Sequence, residues 1–159
     1  MKVIELTQYK FALVDAADYD ALSAVKWRAN TQPHTTYAVR ESEGRTVQMH
    51  RVITAAPQGV EVDHINGDGL DNRRDNLRLC SRKENQRNKR VTPHSSKYKG
   101  VTWNTSHGKW QARIRIDGRQ KHLGYFTDEI DAGRAYDEAA VKAFGEFARL
   151  NEFHKEQTP

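Results

Sequence analysis

The sequence predicts an α+β protein: a small N-terminal sheet with a strand–loop–strand–helix unit, a linker, then a three-stranded antiparallel sheet packed on one helix. Three observations carry that expectation. Short apolar runs with period-two alternation recur along the chain, broken by Gly, Asn and Asp, which is the pattern of brief strands. Between Val60 and Asn88 two such runs are separated by Asn66-Gly67-Asp68-Gly69 and followed by a helix-start signal. From Lys97 the pattern begins again, with three runs and one long helical stretch. The boundaries drawn on this basis are 1–90, a linker at 91–96, and 97–153.

Taken in order, Lys2–Leu6 and Phe11–Asp15 are apolar runs joined by Thr7-Gln8-Tyr9-Lys10, a β-hairpin. Tyr19, Leu22 and Val25 then recur at helical spacing behind Asp15, a candidate N-cap. Trp27 opens a further strand and is read as core. Tyr37–Arg40 and Thr46–Met49 flank the turn residues Glu43-Gly44, and His50-Arg51-Val52-Ile53 continues that run towards Pro57. His50 and Arg51 admit two readings, a surface pair or a pair facing DNA beside the stretch that follows.

That stretch is where chemistry concentrates. Val60, Val62 and Ile65 read as a strand ending at Asp63-His64. Asn66-Gly67 and Asp68-Gly69 favour positive φ, so a tight reversal or broad loop follows. Leu77 and Leu79 alternate with Arg78 as a second strand. Ser81 and Glu84 form S-x-x-E, so a helix starts at Arg82 and carries Asn85 and Asn88. Asp63 and His64 thus stand at a strand end with Asn85 on the facing helix. A carboxylate and an amide oxygen suit a magnesium ion that takes further ligands from water and phosphate. A neutral imidazole is the usual general base near neutral pH. Arg73, Arg74, Arg78, Arg82, Lys83, Arg87, Lys89 and Arg90 surround them; residues 73–99 hold 10 Lys/Arg against 2 acidic residues, a local charge of +8. Metal ligands, base and cationic bed together indicate phosphodiester hydrolysis.

Composition narrows the setting. The net charge of +5 favours an anionic partner. A single cysteine, Cys80, excludes an intramolecular disulfide and a cysteine-based zinc cage, and reads as a buried residue at a strand end. No stretch approaches the roughly 18 apolar residues of a membrane helix. Met1-Lys2 is followed by no continuous apolar h-region, so no secretory signal is expected. A reducing, intracellular, cytoplasmic setting is the expectation.

Residues 89–96, K-R-V-T-P-H-S-S, suit an exposed linker along which Lys89 and Arg90 follow phosphates. Beyond it, K-G-V-T-W, K-W-Q-A-R-I-R-I and K-H-L-G-Y-F are strand-like. In the second run Gln111, Arg113 and Arg115 alternate with Ala112, Ile114 and Ile116, one face cationic and the other buried. Thr127 or Asp128 caps a helix that runs to Phe144 and stops at Gly145. Ala132, Tyr136, Ala139, Ala140 and Ala143 share its inner face. Residues 97–122 hold 7 basic residues and 1 acidic, whereas 123–159 hold 4 and 8, so the sheet is the side expected to meet DNA.

Two resemblances follow from these residues. Over about Met49 to Asn88, D-H-I-N-G-D-x-x-D-N-x-x-x-N-L-R with E-N-x-x-N resembles the HNH nucleases, in particular the homing endonucleases of phages and mobile introns. The resemblance implies His64 as the base that activates water, Asn76 as a brace across the loop, and Asn85 as a metal ligand beside Asp63. The C-x-x-C pairs of zinc-bearing members are missing, so magnesium is expected, with manganese able to substitute and no zinc. Over about Ser96 to Phe153, Y-K-G-V, G-K-W-Q-A-R-I-R, H-L-G-Y-F, A-x-A-Y-D-x-A-A and A-R-L-N resemble the APETALA/ethylene-response-factor DNA-binding domain. In that family a three-stranded sheet enters the major groove. By position, Lys99, Lys109, Arg113, Arg115, Gln120 and His122 match its DNA-facing sites, joined on the nuclease side by Arg73, Arg74, Arg87, Lys89 and Arg90. Thr102 and Asn104 stand where arginines are usual and His122 replaces a tryptophan, so the plant target sequence is not implied. Trp110 reads as sheet packing rather than a base contact. The function expected is a nicking, homing-type endonuclease, a monomer on double-stranded DNA with no membrane partner, leaving 5′-phosphate and 3′-hydroxyl ends. The alternatives are a non-catalytic DNA-binding regulator with a decayed nuclease module and an RNA-binding protein.

Overall fold

The computed structural model describes residues 1–88 and 95–153. Lys89 and Arg90, with most of the expected linker, lie outside the described residues. By its contacts the chain divides into two compact units, Met1–Asn88 and Lys89–Pro159, each α+β as the sequence predicts.

In the first unit β1 (Lys2–Glu5) and β2 (Phe11–Val14) form the expected hairpin, which buries Ile4, Ala12 and Val14. α1 (Ala16–Ser23) has Asp15 at its N-cap position, as predicted, but the Asp15 side chain caps no helical N–H. Its Oδ2 instead accepts the backbone N–H of Arg74 at 2.8 Å, tying α1 to the loop before the second site strand. Trp27 is core, and its Nε1 donates to the carbonyl of Leu22 at 2.8 Å. A sheet in the order β3-β4-β5 follows, from Arg28–Thr31, Thr36–Ser42 and Arg45–Gln48.

Here one expectation is overturned. His50–Ile53 does not continue the strand; Met49–Thr54 forms a helix, α2. In a helix, Met49 and Ile53 stand four residues apart and both reach the core, where a strand would also have put them on one side but without closing the chain on itself. Ala55 ends the helix in the left-handed region at φ 48. The surface-pair reading of His50 and Arg51 does not hold. His50 is buried, and Arg51 donates to the carbonyls of Val60, Ala56 and Pro57 at 2.7, 3.1 and 2.9 Å, so it pins the loop ahead of the site.

β6 (Glu61–His64) then pairs antiparallel with β7 (Leu77–Cys80), setting Asp63 opposite Arg78 and His64 opposite Leu77. α3 (Arg82–Asn88) starts on the predicted capping box: the Ser81 N–H donates to Glu84 Oε2 at 2.8 Å, and the Glu84 N–H to Ser81 Oγ at 3.3 Å. Val62 and Leu77 belong to the same core as Ile4, Leu22, Trp27 and Met49. The strand–loop–strand–helix unit is therefore built onto the N-terminal sheets. Cys80 is buried, and burial pushes its thiol up to about 11, an inert structural cysteine.

The second unit packs β8 (Val101–Asn104), β9 (Lys109–Ile116) and β10 (Arg119–Phe126), ordered β10-β9-β8, against α4 (Glu129–Phe144). Asp128 is the cap, its Oδ1 accepting from the Ile130 and Asp131 N–H groups, and Gly145 stops the helix at φ 55. Ala112, Ile114, Ala132, Tyr136 and Ala140 are buried between sheet and helix. Ser96, assigned to the exposed linker, is buried instead, because its Oγ accepts the Tyr98 N–H at 3.0 Å. Asn151 closes the unit by donating to Asp137 and accepting from the Lys99 N–H at 2.6 Å.

Candidate functional site

Where β6 faces α3, Asp63 and Asn88 are buried and Glu61 and Asn85 are half-buried beside them. Glu61 and Asp63 are two apart on β6 and so share a side; Asn85 and Asn88 are three apart on α3 and share a face. The pairing across this seam is Glu61 with Asn85 and Asp63 with Asn88. Asn85 Nδ2 donates to Glu61 Oε2 at 2.6 Å. Asn88 Nδ2 lies 3.0 Å from both oxygens of Asp63 and also donates to the carbonyls of His64 and Ile65. Arg78, expected in the phosphate-binding bed, donates Nε and Nη2 to Asp63 Oδ2 at 2.9 and 2.7 Å across the β6–β7 ladder. Asp63 and Asn85, expected to meet at one ion, are thus neighbours along the seam with separate partners. The signal for Asn88 was in the sequence as the second Asn of E-N-x-x-N.

His64 ends β6 and is buried. Burial holds its imidazole below the ordinary histidine range, outweighing the upward pull of Asn72, Asp63, Asp68 and Asp71. It is neutral at pH 7. Its Nε2 and the Oδ1 of Asn72 are buried without a hydrogen-bond partner among the described residues. Tyr37 and His50 ring it, with centroids 5.9 and 5.0 Å from the His64 ring. No local pattern in the sequence places Tyr37, His50 or Asn72 around this ring, since each arrives from an element remote from His64 or from the far side of the loop.

The loop between the two strands is braced at its neck. Asn76 Oδ1 accepts the Asn66 N–H at 3.0 Å, its Nδ2 donates to the carbonyl of Asp71 at 2.7 Å, and its own carbonyl accepts the Ile65 N–H at 2.9 Å. β2 edges the same loop: Leu13 donates to the carbonyl of Leu70 and accepts from the Asn72 N–H, both at 2.8 Å. Gly69 touches β4 so closely that an added Cβ would lie 2.5 Å from the Thr36 carbonyl oxygen.

The expected phosphate-binding arginines divide. Arg73 is engaged bidentately by Asp71 at 2.8 and 2.7 Å, which also keeps the Asp71 carboxyl below its usual range. Arg74 is held in the same way by Asp18 at 2.8 and 2.7 Å. Both are tethered in ion pairs at the surface, the Arg74 side chain remaining 59% exposed. Arg87 is half-buried on α3.

In the second unit the registers Thr102↔Gln111, Gln120↔Arg115, His122↔Arg113 and Tyr125↔Gln111 lay these residues along one face of the sheet. Arg113 and Arg115 belong to it, as do Lys109, Gln120 and His122. Gln111 Nε2 lies 3.1 Å from His122 Nδ1, and the His107 ring stacks on Tyr125 at 4.2 Å. Lys99 lies apart, half-buried between Arg149 and Asp137, its ammonium pushed down to about 8 chiefly by burial. Trp110 pairs with Trp103 and packs in the core cluster on the inner side, as expected.

Comparison with known proteins matches both halves. A family model described as HNH endonuclease matches residues 47–87. A protein named as an HNH endonuclease in Acanthamoeba polyphaga mimivirus is 31% identical over 147 residues, 89% of this chain and 74% of the relative. Protein 3.8 of Escherichia phage T7 is 39% identical over 69 residues, 42% of this chain and 56% of that protein. An AP2-like ethylene-responsive transcription factor of Arabidopsis thaliana is 49% identical over 53 residues, 32% of this chain and 9% of that protein's length. No solved structure matches.

Proposed function

Because this chain belongs to the HNH endonuclease family and is therefore a nuclease, we propose that it nicks double-stranded DNA in a divalent-metal-dependent reaction, held on the duplex by its C-terminal sheet. The observation that carries this is His64: a neutral imidazole at the end of β6, directly after Asp63, enclosed by Tyr37 and His50. A proton on Nε2 would give the buried Asn72 oxygen a donor and leave Nδ1 as the basic nitrogen. His64 then takes the proton of the attacking water. Asn76 keeps the loop and the end of β6 in register while it does so.

The donor chemistry fits a divalent cation. Asp63 offers a carboxylate, and Asn85, whose amide nitrogen is committed to Glu61, offers its carbonyl oxygen. Such oxygen donors suit magnesium or manganese. These two residues would hold the ion, which when bound supplies Lewis-acid stabilisation of charge at the scissile phosphate. Asn88 and Arg78 fix the Asp63 carboxylate. The ends expected are 5′-phosphate and 3′-hydroxyl. A single nuclease unit per chain favours a nick by a monomer. The resemblance to phage and intron enzymes supports a homing role inside the host cell.

The cationic face of the second unit supports DNA as the partner, since β-sheet readers place such a face in the major groove. The test is nicking of supercoiled plasmid. Magnesium or manganese should support it, EDTA abolish it, and zinc alone fail to restore it. His64→Ala should lower cleavage by on the order of 10²–10⁴ with DNA binding preserved. Wild-type cleavage by that variant, or full activity without metal, would overturn the assignment.

A further inference from the structure

We propose that His50 is a positioning residue that fixes the ring of His64 for proton abstraction; this rests on the reading of His64 as the general base.

His50 comes from the first turn of α2, and His64 from the end of β6. Their rings meet edge-on, with centroids 5.0 Å apart and planes at 89°. Tyr37 on β4 completes the enclosure, 5.5 Å from His50 and 5.9 Å from His64. An imidazole hung on one strand residue has two free torsions, and its χ2 well is broad. Two rings set against it at fixed angles remove that freedom.

His50 is itself anchored. Its exposure is 5%, and its Nε2 lies 3.1 Å from Gln48 Oε1. An amide oxygen only accepts, so Nε2 carries the proton and the ring is held in one tautomer and one orientation. The remaining nitrogen, Nδ1, is buried with no partner among the described residues. What the proposal uses is the flat, rigid ring itself, set edge-on against the His64 ring and braced by Tyr37.

Displacing a reacting group by about 1 Å can cost on the order of 10²-fold in rate. The expected outcome for His50→Ala on supercoiled plasmid with magnesium is therefore a kcat lowered by roughly 10–10²-fold, with KM for the plasmid within about twofold. His50→Phe keeps a buried ring and should return kcat to within about threefold of wild type. Folded fraction, read by near-UV circular dichroism, normalises both. The deciding measurement is the double variant His50→Ala/His64→Ala. If His50 acts through His64, the double variant cleaves no more slowly than His64→Ala alone. Multiplying losses, a wild-type kcat in His50→Ala, a His50→Phe as slow as His50→Ala, or failure of both variants to fold would each overturn the proposal. His64→Ala cleaving at the wild-type rate would instead bring down the base assignment beneath it.

Discussion

The histidines of the first unit differ in how legible they were. His64 announced itself through its neighbours in sequence: Asp63 beside it, Gly-rich turns after it, and a capped helix to face it. His50 did not, because its meaning comes from α2 and β4 closing over β6, which no local pattern encodes. Its burial carries a pH consequence. Burial first, then His64 and Arg51, push its folded pKa down to about 3, against about 6.5 in the unfolded chain. Between those values the unfolded chain binds a proton that the folded chain refuses. Stability is therefore fully present above about pH 6.5 and is lost as pH falls towards 3. His64 shifts the same way. His50→Phe removes one of the two groups, so melting temperature should fall less steeply with acidification across that window than in the wild type. Parallel thermal melts from pH 7 downwards give the answer, and identical slopes would mean that His50 is not held neutral by the fold.

At the scale of elements, the signals that worked were stereochemical and local. The Ser81–Glu84 box started α3, Asp128 started α4 and Gly145 stopped it. α2 escaped because six residues are under two helical turns, too few to separate a helical period from a strand's. The Asp63–Asn88 pairing escaped for a related reason: helix spacing puts Asn85 and Asn88 on one face without saying which meets which carboxylate. The Y-K-G-V run gained a physical cause only in three dimensions. Gly100 sits at φ +79, and a Cβ there would stand 1.9 Å from Tyr136 Cδ2, inside the ring that joins α4 to the sheet. Gly118 has nearly the same backbone, φ +80, but nothing within 4 Å. Gly118→Ala should therefore cost only the conformational strain, about 1 kcal/mol, and Gly100→Ala on the order of 3 kcal/mol or more because strain and overpacking combine. Urea unfolding of the two variants separates them; equal midpoints would mean that the Tyr136 ring yields without cost.

Across the whole molecule, charge and chemistry are assigned to different units. The first contributes the Asp63-His64 site but engages several of its arginines internally, Arg73 with Asp71, Arg74 with Asp18 and Arg78 with Asp63. The second contributes a sheet face bearing Lys109, Arg113 and Arg115 beside Gln111, Gln120 and His122. This division was legible in the sequence as alternation along β9, because a period of two survives any packing arrangement. Its consequence is quantitative. Each phosphate neutralised contributes about −0.9 to the slope of log affinity against log salt, whereas a good bidentate pair with a base contributes about 1–3 kcal/mol of discrimination. Arg113→Ala and Arg115→Ala should both weaken binding to duplex DNA. Removing an arginine that pairs with a phosphate would flatten the salt slope by about one and weaken all sequences alike. Removing one that reads a base would leave the slope and relax preference at one position. At least one of the two should behave in the second way. A chain truncated near Arg90 should keep His64 and Asp63, bind with a shallower salt slope than the full chain, and nick DNA poorly with little site preference. Binding isotherms over a salt series, with cut positions mapped in parallel, decide it. Equal affinity and identical cut positions in the truncated chain would move recognition into the nuclease unit and leave the sheet face without DNA as its partner.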